Sequence, residues 1–294
     1  HDPSLGHSSG LFLSGHQNFP ASLYERFVRR SRMAIGPIGI FDSGVGGLTV
    51  VAELVRRNPS LDFIYLGDTA RVPYGTKSPK VVQTYSERIA RLLIKEGASS
   101  IIIACNTASA YALEHLKSVL DVPVMGVIKP GAKRALELTN NGHIGVIGTL
   151  GTIDSRSYVE AIKEYRPDAK IFTQACPLLV PLAEEGYEGH DATRLIVDEY
   201  LTPFRDTQID TLVLGCTHYP LLYNDIQRVV GPEVTLIHSG EAMWATLIRE
   251  NFPLPESEEP TRRYLATDTG SRVRRLAKRF LGEESVAVEH IDLI

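Results

Sequence analysis

Only three cysteines occur in 294 residues, at positions 105, 176 and 216. They make no CxxC pair, and their wide spacing supports neither a disulfide framework nor a zinc cluster. Such sparing use of cysteine fits a reducing compartment, so a cytoplasmic protein is expected. No apolar run approaches the roughly 18 residues that a membrane-spanning helix needs, and no membrane partner is expected. Charge of one sign is also scarce. A net charge of −4 gives no reason to expect nucleic acid or an anionic bilayer as the main partner. What remains is ordinary for a globular protein: 43% hydrophobic and 22% charged residues argue against general disorder. The length implies one large domain or two medium ones.

The first 32 residues read differently from the rest. The stretch from His1 to Pro20 is rich in Gly, Ser and His and has no periodicity. Arg26, Arg29, Arg30 and Arg32 then form a basic cluster, and Leu11-Phe12-Leu13 is too short for a signal-peptide core. Residues 1–32 are taken as an N-terminal extension, a tag or an upstream translated segment, expected to be poorly ordered, with Met33 as the natural start. The alternative is a native arm that docks on the body or binds a regulator.

From Pro37 onward, short apolar runs alternate with amphipathic stretches. Strands are expected at Ile38–Phe41, Phe63–Leu66, Ser100–Ala104, Val124–Val127, Ile144–Ile147, Ile171–Thr173, Thr211–Leu214, Thr235–Ile237 and Arg263–Thr267. Their β-branched content without strict alternation predicts strands covered on both faces. Helical faces are expected at Leu48-Val51-Leu54-Val55, at Ile89-Leu92-Leu93 and at Leu195-Ile196-Glu199-Tyr200. The alternation predicts an α/β fold with mostly parallel sheets.

The two halves resemble each other. Ile38-Gly39-Ile40-Phe41-Asp42-Ser43 parallels Ile144-Gly145-Val146-Ile147-Gly148-Thr149, and Cys105 closes an apolar run as Cys216 closes another. Val124-Met125-Gly126 likewise parallels Val234-Thr235-Leu236 in nearly the same register. Two pseudo-symmetric lobes follow, each a mostly parallel sheet flanked by helices. Residues 33–128 plus 240–294 would carry Cys105, and residues 129–239 would carry Cys216. A cleft between the strand C-terminal ends is the expected site.

Several segments border that cleft. Asp42-Ser43-Gly44-Val45-Gly46-Gly47 follows the first strand, but it lacks the third Gly of a dinucleotide fingerprint and the Lys of a P-loop. The glycines suit a tight turn, whereas Asp42 and Ser43 sit where a ligand would lie, and amides at the helix start suit an anionic group such as a carboxylate. Pro73-Tyr74-Gly75 and Lys77 occupy the next loop on the same edge. No phosphate cup surrounds Lys77, so a pyridoxal-phosphate site is not expected there. Buried cysteines are normally inert small hydrophobes, and Cys176 is assigned to that class. Cys105 and Cys216 differ, because each stands ahead of an expected helix, whose amides and dipole lower a free-thiol pKa of about 8.5. Asn106, Thr107, Thr217 and His218 add donors and acceptors for a small polar ligand.

The strings DSGVGG, GD followed by PYG and K, ACNTASA and GCTHYP, in that order, resemble the glutamate racemases of the cofactor-independent aspartate/glutamate racemase family. The likeness runs from about Ile38 to Leu293 and implies two α/β lobes with the active site between them. It further implies that Cys105 and Cys216 are the acid/base thiols of a two-base L-/D-glutamate racemisation without cofactor or metal. Asp42 beside Cys105, and His218 and Glu184 beside Cys216, would be auxiliary acids. Ser43, Tyr74, Gly75, Asn106, Thr107 and Thr217, with Asp42 and His218, would contact substrate. Supply of D-glutamate to peptidoglycan synthesis, a homodimer and a cell-wall-precursor activator are the corresponding biological expectations. Two alternatives stay open: a related substrate such as aspartate or a dicarboxylate isomerised through a thiol adduct, and a two-lobed binding protein whose cysteines are merely buried.

Overall fold

The structure, a computed structural model, describes residues 36–282 and 286–293. The expectations for residues 1–32 and for Met33 lie outside the described residues. The described residues form one compact unit. Its first part runs β1 (Ile38–Asp42), α1 (Leu48–Arg57), β2 (Phe63–Gly67), α2 (Pro79–Lys95), β3 (Ser100–Ile103), α3 (Asn106–Val119), β4 (Val124–Gly126) and α4 (Ile128–Leu138). There follow β5 (His143–Gly148), α5 (Leu150–Asp154), α6 (Ser157–Tyr165), β6 (Lys170–Ala175), α7 (Leu179–Glu185), α8 (Asp191–Leu201), β7 (Thr211–Gly215), α9 (Tyr223–Val230) and β8 (Thr235–His238). The chain ends with α10 (Ser239–Arg249), β9 (Arg262–Ala266), α11 (Ser271–Leu281) and β10 (Val288–His290).

The strands form two sheets, ordered β10-β9-β2-β1-β3-β4 and β6-β5-β7-β8. Every pair within them is parallel. The order β2-β1-β3-β4 in one sheet matches β6-β5-β7-β8 in the other, so the repeat in the sequence is a repeat in topology. The α/β class with two similar sheets is borne out. In each sheet the chain moves to one side of its first strand and then crosses to the other. Such a reversal leaves a crevice at the strand C-terminal ends, between β1 and β3 and between β5 and β7.

Alternation along the central strands fills two cores per sheet. Ile38 and Ile40 face α1, α10 and α11, meeting Leu48, Leu54, Met243 and Phe280. Phe41, Ile101 and Ile103 face α2 and α3, meeting Ile89, Leu93, Ala112 and Leu116. In the second sheet, Ile147, Leu212 and Leu214 pack under α7 and α8, and Ile144, Val146 and Val213 under α4 and α6. Helix α10 serves both sheets, with Met243 in one core and Ala242 in another.

All nine expected strands are present, and β1, β2 and β7 are covered on both faces as anticipated. The outer strands are not: the edge strand β6, and β9 one place in from the edge, are half-exposed along much of their length. Strand β10 was not anticipated, because Val288-Glu289-His290 is short and largely exposed and carries no apolar pattern. The face expected for α8 is also corrected. Thr193, Val197 and Leu201 turn inward at four-residue spacing while Leu195 is 71% exposed. Packing beside Phe204 and Leu212 selects that stripe.

Gly67 shows how closely β2 approaches the turn after β1. A Cβ on it would lie 2.3 Å from the Gly44 carbonyl oxygen, a backbone atom with little room to move. Gly67→Ala should therefore lower the unfolding free energy by about 1–3 kcal/mol, the usual range for overpacking, as read from urea denaturation. A loss below a few tenths of a kcal/mol would contradict that fit.

Candidate active site

Each crevice holds a cysteine. Cys105 follows β3 and is the N-cap of α3, its Sγ accepting from the Ala108 amide at 3.4 Å and lying 3.6 Å from Ser43 Oγ. Cys216 follows β7, and its Sγ lies 3.8 Å from His218 Nδ1. The other imidazole nitrogen, Nε2, is 3.0 Å from Glu184 Oε1 at the end of α7. Both sulfurs border one cavity of about 450 Å³, open water included. Ser43, Tyr74, Gly75, Asn106, Thr107, Thr217, His218 and Glu184 line it as well. Asp42 does not: it is fully buried behind the wall.

Polar contacts across the crevices fix this arrangement. Asp42 Oδ2 accepts from the Gly44 amide at 2.9 Å, and its Oδ1 accepts from Thr217 Oγ1 at 3.5 Å. Thr49 Oγ1 donates to the Thr217 carbonyl at 2.9 Å. Asn106 Nδ2 donates to Ser239 Oγ at 3.1 Å, while its Oδ1 accepts from the buried Tyr158 hydroxyl at 2.7 Å. Thr107 Oγ1 sits 2.8 Å from Thr149 Oγ1 and 3.2 Å from Thr152 Oγ1. The loop carrying Tyr74 is tied down by buried Asp68, which accepts from the Tyr74 hydroxyl at 2.7 Å and from Arg71 and Thr267, each at 2.8 Å. At Gly46, a Cβ would fall 2.4 Å from Thr217 Oγ1 and 2.5 Å from the His218 ring, so the turn lies flush against the opposite wall.

Residues 39–247 match the model of the family described as Asp/Glu/Hydantoin racemase. The chain belongs to that family. A glutamate racemase of Geobacter metallireducens is 48% identical over 260 residues, covering 87% of this chain and 96% of its own length. The crystal structure of glutamate racemase isoform RacE1 from Bacillus anthracis superposes with a TM-score of 0.83 at 39% identity, covering 88% of this chain and 98% of that one. The Francisella tularensis glutamate racemase, solved in complex with D-glutamate, gives a TM-score of 0.81 at 38% identity over the same shares.

In this racemase-family chain the two thiols sit in opposite electrostatic surroundings. Burial, with the Asp42 carboxylate nearby, pushes the Cys105 thiol up to about 12, against the lowering pull of Ala108 and Ser43. The helix start therefore does not depress this thiol as expected, because loss of water and a like charge outweigh the amides of Ala108 and Ser43 and the Ser43 hydroxyl. His218 shows the reverse balance. Burial pulls it down most strongly, yet its bonds to Cys216 and Glu184 and the negative charges of Cys216 and Asp42 raise it to about 10. Burial raises Glu184, but bonds from His218 and Arg272 bring it below its ordinary value. Burial raises Asp42 despite His218 and the amides of Gly44 and Gly47.

Two further expectations change. The amides of Gly44 and Gly47, between β1 and α1, are taken by the Asp42 carboxylate rather than left for an anionic ligand. Cys216 does not open an α-helix either. Pro220 is among the next residues, a tight turn of Tyr219–Leu222 intervenes, and α9 begins only at Tyr223. Proline disfavours helical backbone at the residue before it. Thr149 and Thr152 border the cavity and were not singled out. Their signal was present, because Thr149 stands where Ser43 stands in the other repeat.

His218→Gln tests the charge state of this pair. A histidine raised from 6.5 to about 10 stabilises the fold fully below pH 6.5 and loses that contribution as pH climbs through the higher value. The gap in unfolding free energy between the parent protein and H218Q should thus shrink from neutral to strongly alkaline pH. An unchanging gap across that window would count against a protonated His218.

Proposed function

We propose that the protein interconverts L- and D-glutamate by proton transfer between substrate and two thiols, Cys105 and Cys216. One observation carries this: sulfurs at the ends of repeat-related strands border the same small cavity. A two-base reaction needs that arrangement, because inversion removes a proton from one face of the α-carbon and returns one to the other. The D-glutamate found with the Francisella tularensis relative supports glutamate as substrate.

The unequal surroundings suggest a resting assignment. Cys105, with its pKa pushed to about 12, holds its proton, and Cys216 beside the His218 imidazolium is the base. Cys216 takes the α-proton as the C–H bond breaks and its electron pair passes to the α-carbon. That carbon then takes the Cys105 proton on its opposite face, leaving Cys105 as thiolate and Cys216 as thiol. The reverse direction starts from that second state. Asp42 raises the proton affinity of Cys105, and Glu184 keeps His218 charged.

The intermediate carbanion lies beside a carboxylate and needs preorganised donors. Asn106 spends one amide hydrogen on Ser239 and has a second for substrate. The hydroxyls of Ser43, Thr107 and Thr217 and the imidazole of His218 also border the cavity. Asp42 acts from behind the wall. Residues 33–128 plus 240–294 and residues 129–239 serve as the two lobes, and their closure would expel water. D-Glutamate would then supply bacterial peptidoglycan synthesis in the cytoplasm. Among the described residues, no helix is long and apolar enough to cross a membrane.

The test is incubation with L-glutamate in deuterium oxide without added cofactor, following optical rotation and isotope content together, with L-aspartate in parallel. Rotation should fall to zero as one deuterium enters the α-position of glutamate. Cys105→Ala and Cys216→Ala should each reduce turnover by about a thousandfold or more, while Cys176→Ala should stay within a few-fold of the parent. Full turnover by either of the first two variants would exclude the two-thiol scheme. Exchange without racemisation, or activity on aspartate alone, would exclude this substrate assignment.

A further inference from the structure

The proposed chemistry uses Glu184 and His218, but not the helix that holds them from outside. Helix α11 belongs to the first sheet, where Leu276, Ala277 and Phe280 enter the core beside Ile38 and Ile40. Glu184 belongs to the second, at the end of α7, whose Leu179 and Ala183 pack with Cys216. Five contacts join the two. Arg272 Nη2 lies 3.0 Å from Glu184 Oε2 and 2.7 Å from Glu185 Oε1. Arg279 pairs with Glu188 and donates at 3.4 Å to the Glu184 carbonyl, one of the acceptors left open at a helix C-terminus. The Phe280 ring meets the His218 ring edge-on, with centroids 5.2 Å apart.

These contacts constrain Glu184 fully. Arg272 occupies Oε2 and leaves Oε1 for His218, while Arg279 fixes the backbone of the same residue. Glu184 is only part-buried, its side chain 23% exposed. Without a partner on its outer oxygen, its carboxylate is free to turn into water and release the imidazole. We propose that Arg272 is a positioning residue for the proton transfer at Cys216, acting through Glu184 and His218 as part of a strap that α11 throws across the cleft. The proposal rests on the racemisation reading for its kinetic consequences, but the placement of His218 can be read independently of turnover.

A racemase in water has an equilibrium constant of one, so kcat/KM must change equally in both directions and cannot reveal which thiol is affected. Isotope effects can. In Arg272→Gln, kcat should fall about tenfold, the consequence of roughly 1.4 kcal/mol less transition-state stabilisation, with KM little changed. The primary effect of α-deuterated glutamate should rise in one direction only, the one in which Cys216 removes the hydron. The His218 titration midpoint, followed by NMR, should drop from about 10. Arg272→Lys, which keeps charge and donors, should recover much of each loss. Arg275→Gln, an exposed change on the same helix, should match the parent.

An unchanged kcat and His218 midpoint in R272Q would overturn the proposal. So would a fall in kcat with that midpoint and both isotope effects unmoved, because the loss would then be merely structural. If the parent protein fails to racemise glutamate, the function is wrong, and the NMR titration of R272Q still decides whether Arg272 positions His218.

Discussion

Buried hydroxyl, amide and carboxylate groups hold the strand ends of two parallel sheets against one small volume. Asp42 reaches Thr217, Asn106 reaches Ser239 and Tyr158, and Thr107 reaches Thr149 and Thr152. All of these but the half-buried Thr149 are removed from water, so an unmade bond would leave a costly unsatisfied group. The cysteines owe their common cavity to this lattice more than to their own contacts, which are few and long. Apolar packing builds each sheet, while polar pairing between them sets how the crevices face each other.

Topology repeats but charge does not. Cys105 shares its surroundings with a carboxylate, and Cys216 shares its own with an imidazole held by a second carboxylate. The first sheet also has two extra strands, β9 and β10, and α11 between them. That added segment gives one side of the cleft an arm with no counterpart on the other. The departures from symmetry therefore lie in the side chains around the thiols, in the tight turn that follows Cys216 where a helix follows Cys105, and in the C-terminal segment, not in the strand order of the paired cores.

Much of this was legible in the chain itself. The nine expected strands are long enough or apolar enough to stand out, and the register shared by Gly39 with Gly145 and by Cys105 with Cys216 foreshadowed equal strand orders. The family motifs named most residues that border the cavity. Three kinds of information were hidden. Asp42 sits at the right strand end, yet its retreat behind the wall depends on the amides of Gly44 and Gly47 turning toward it. The balance between helix amides and burial at Cys105 requires knowing how much water is excluded. The grip of Arg272 and Arg279 on α7 joins positions about ninety residues apart through charged side chains on surface helices, where no periodic pattern marks a partner.

The empty place at Gly46 has a mechanical consequence. Because bare main chain meets the Thr217 hydroxyl and the His218 ring there, one wall of the seam carries no side chain that can swing aside. What torsional freedom the contact has belongs to Thr217 and His218, the first tied to Asp42 and the second to Glu184. Widening the seam at that point would therefore loosen the same bonds that aim the imidazole at its thiol.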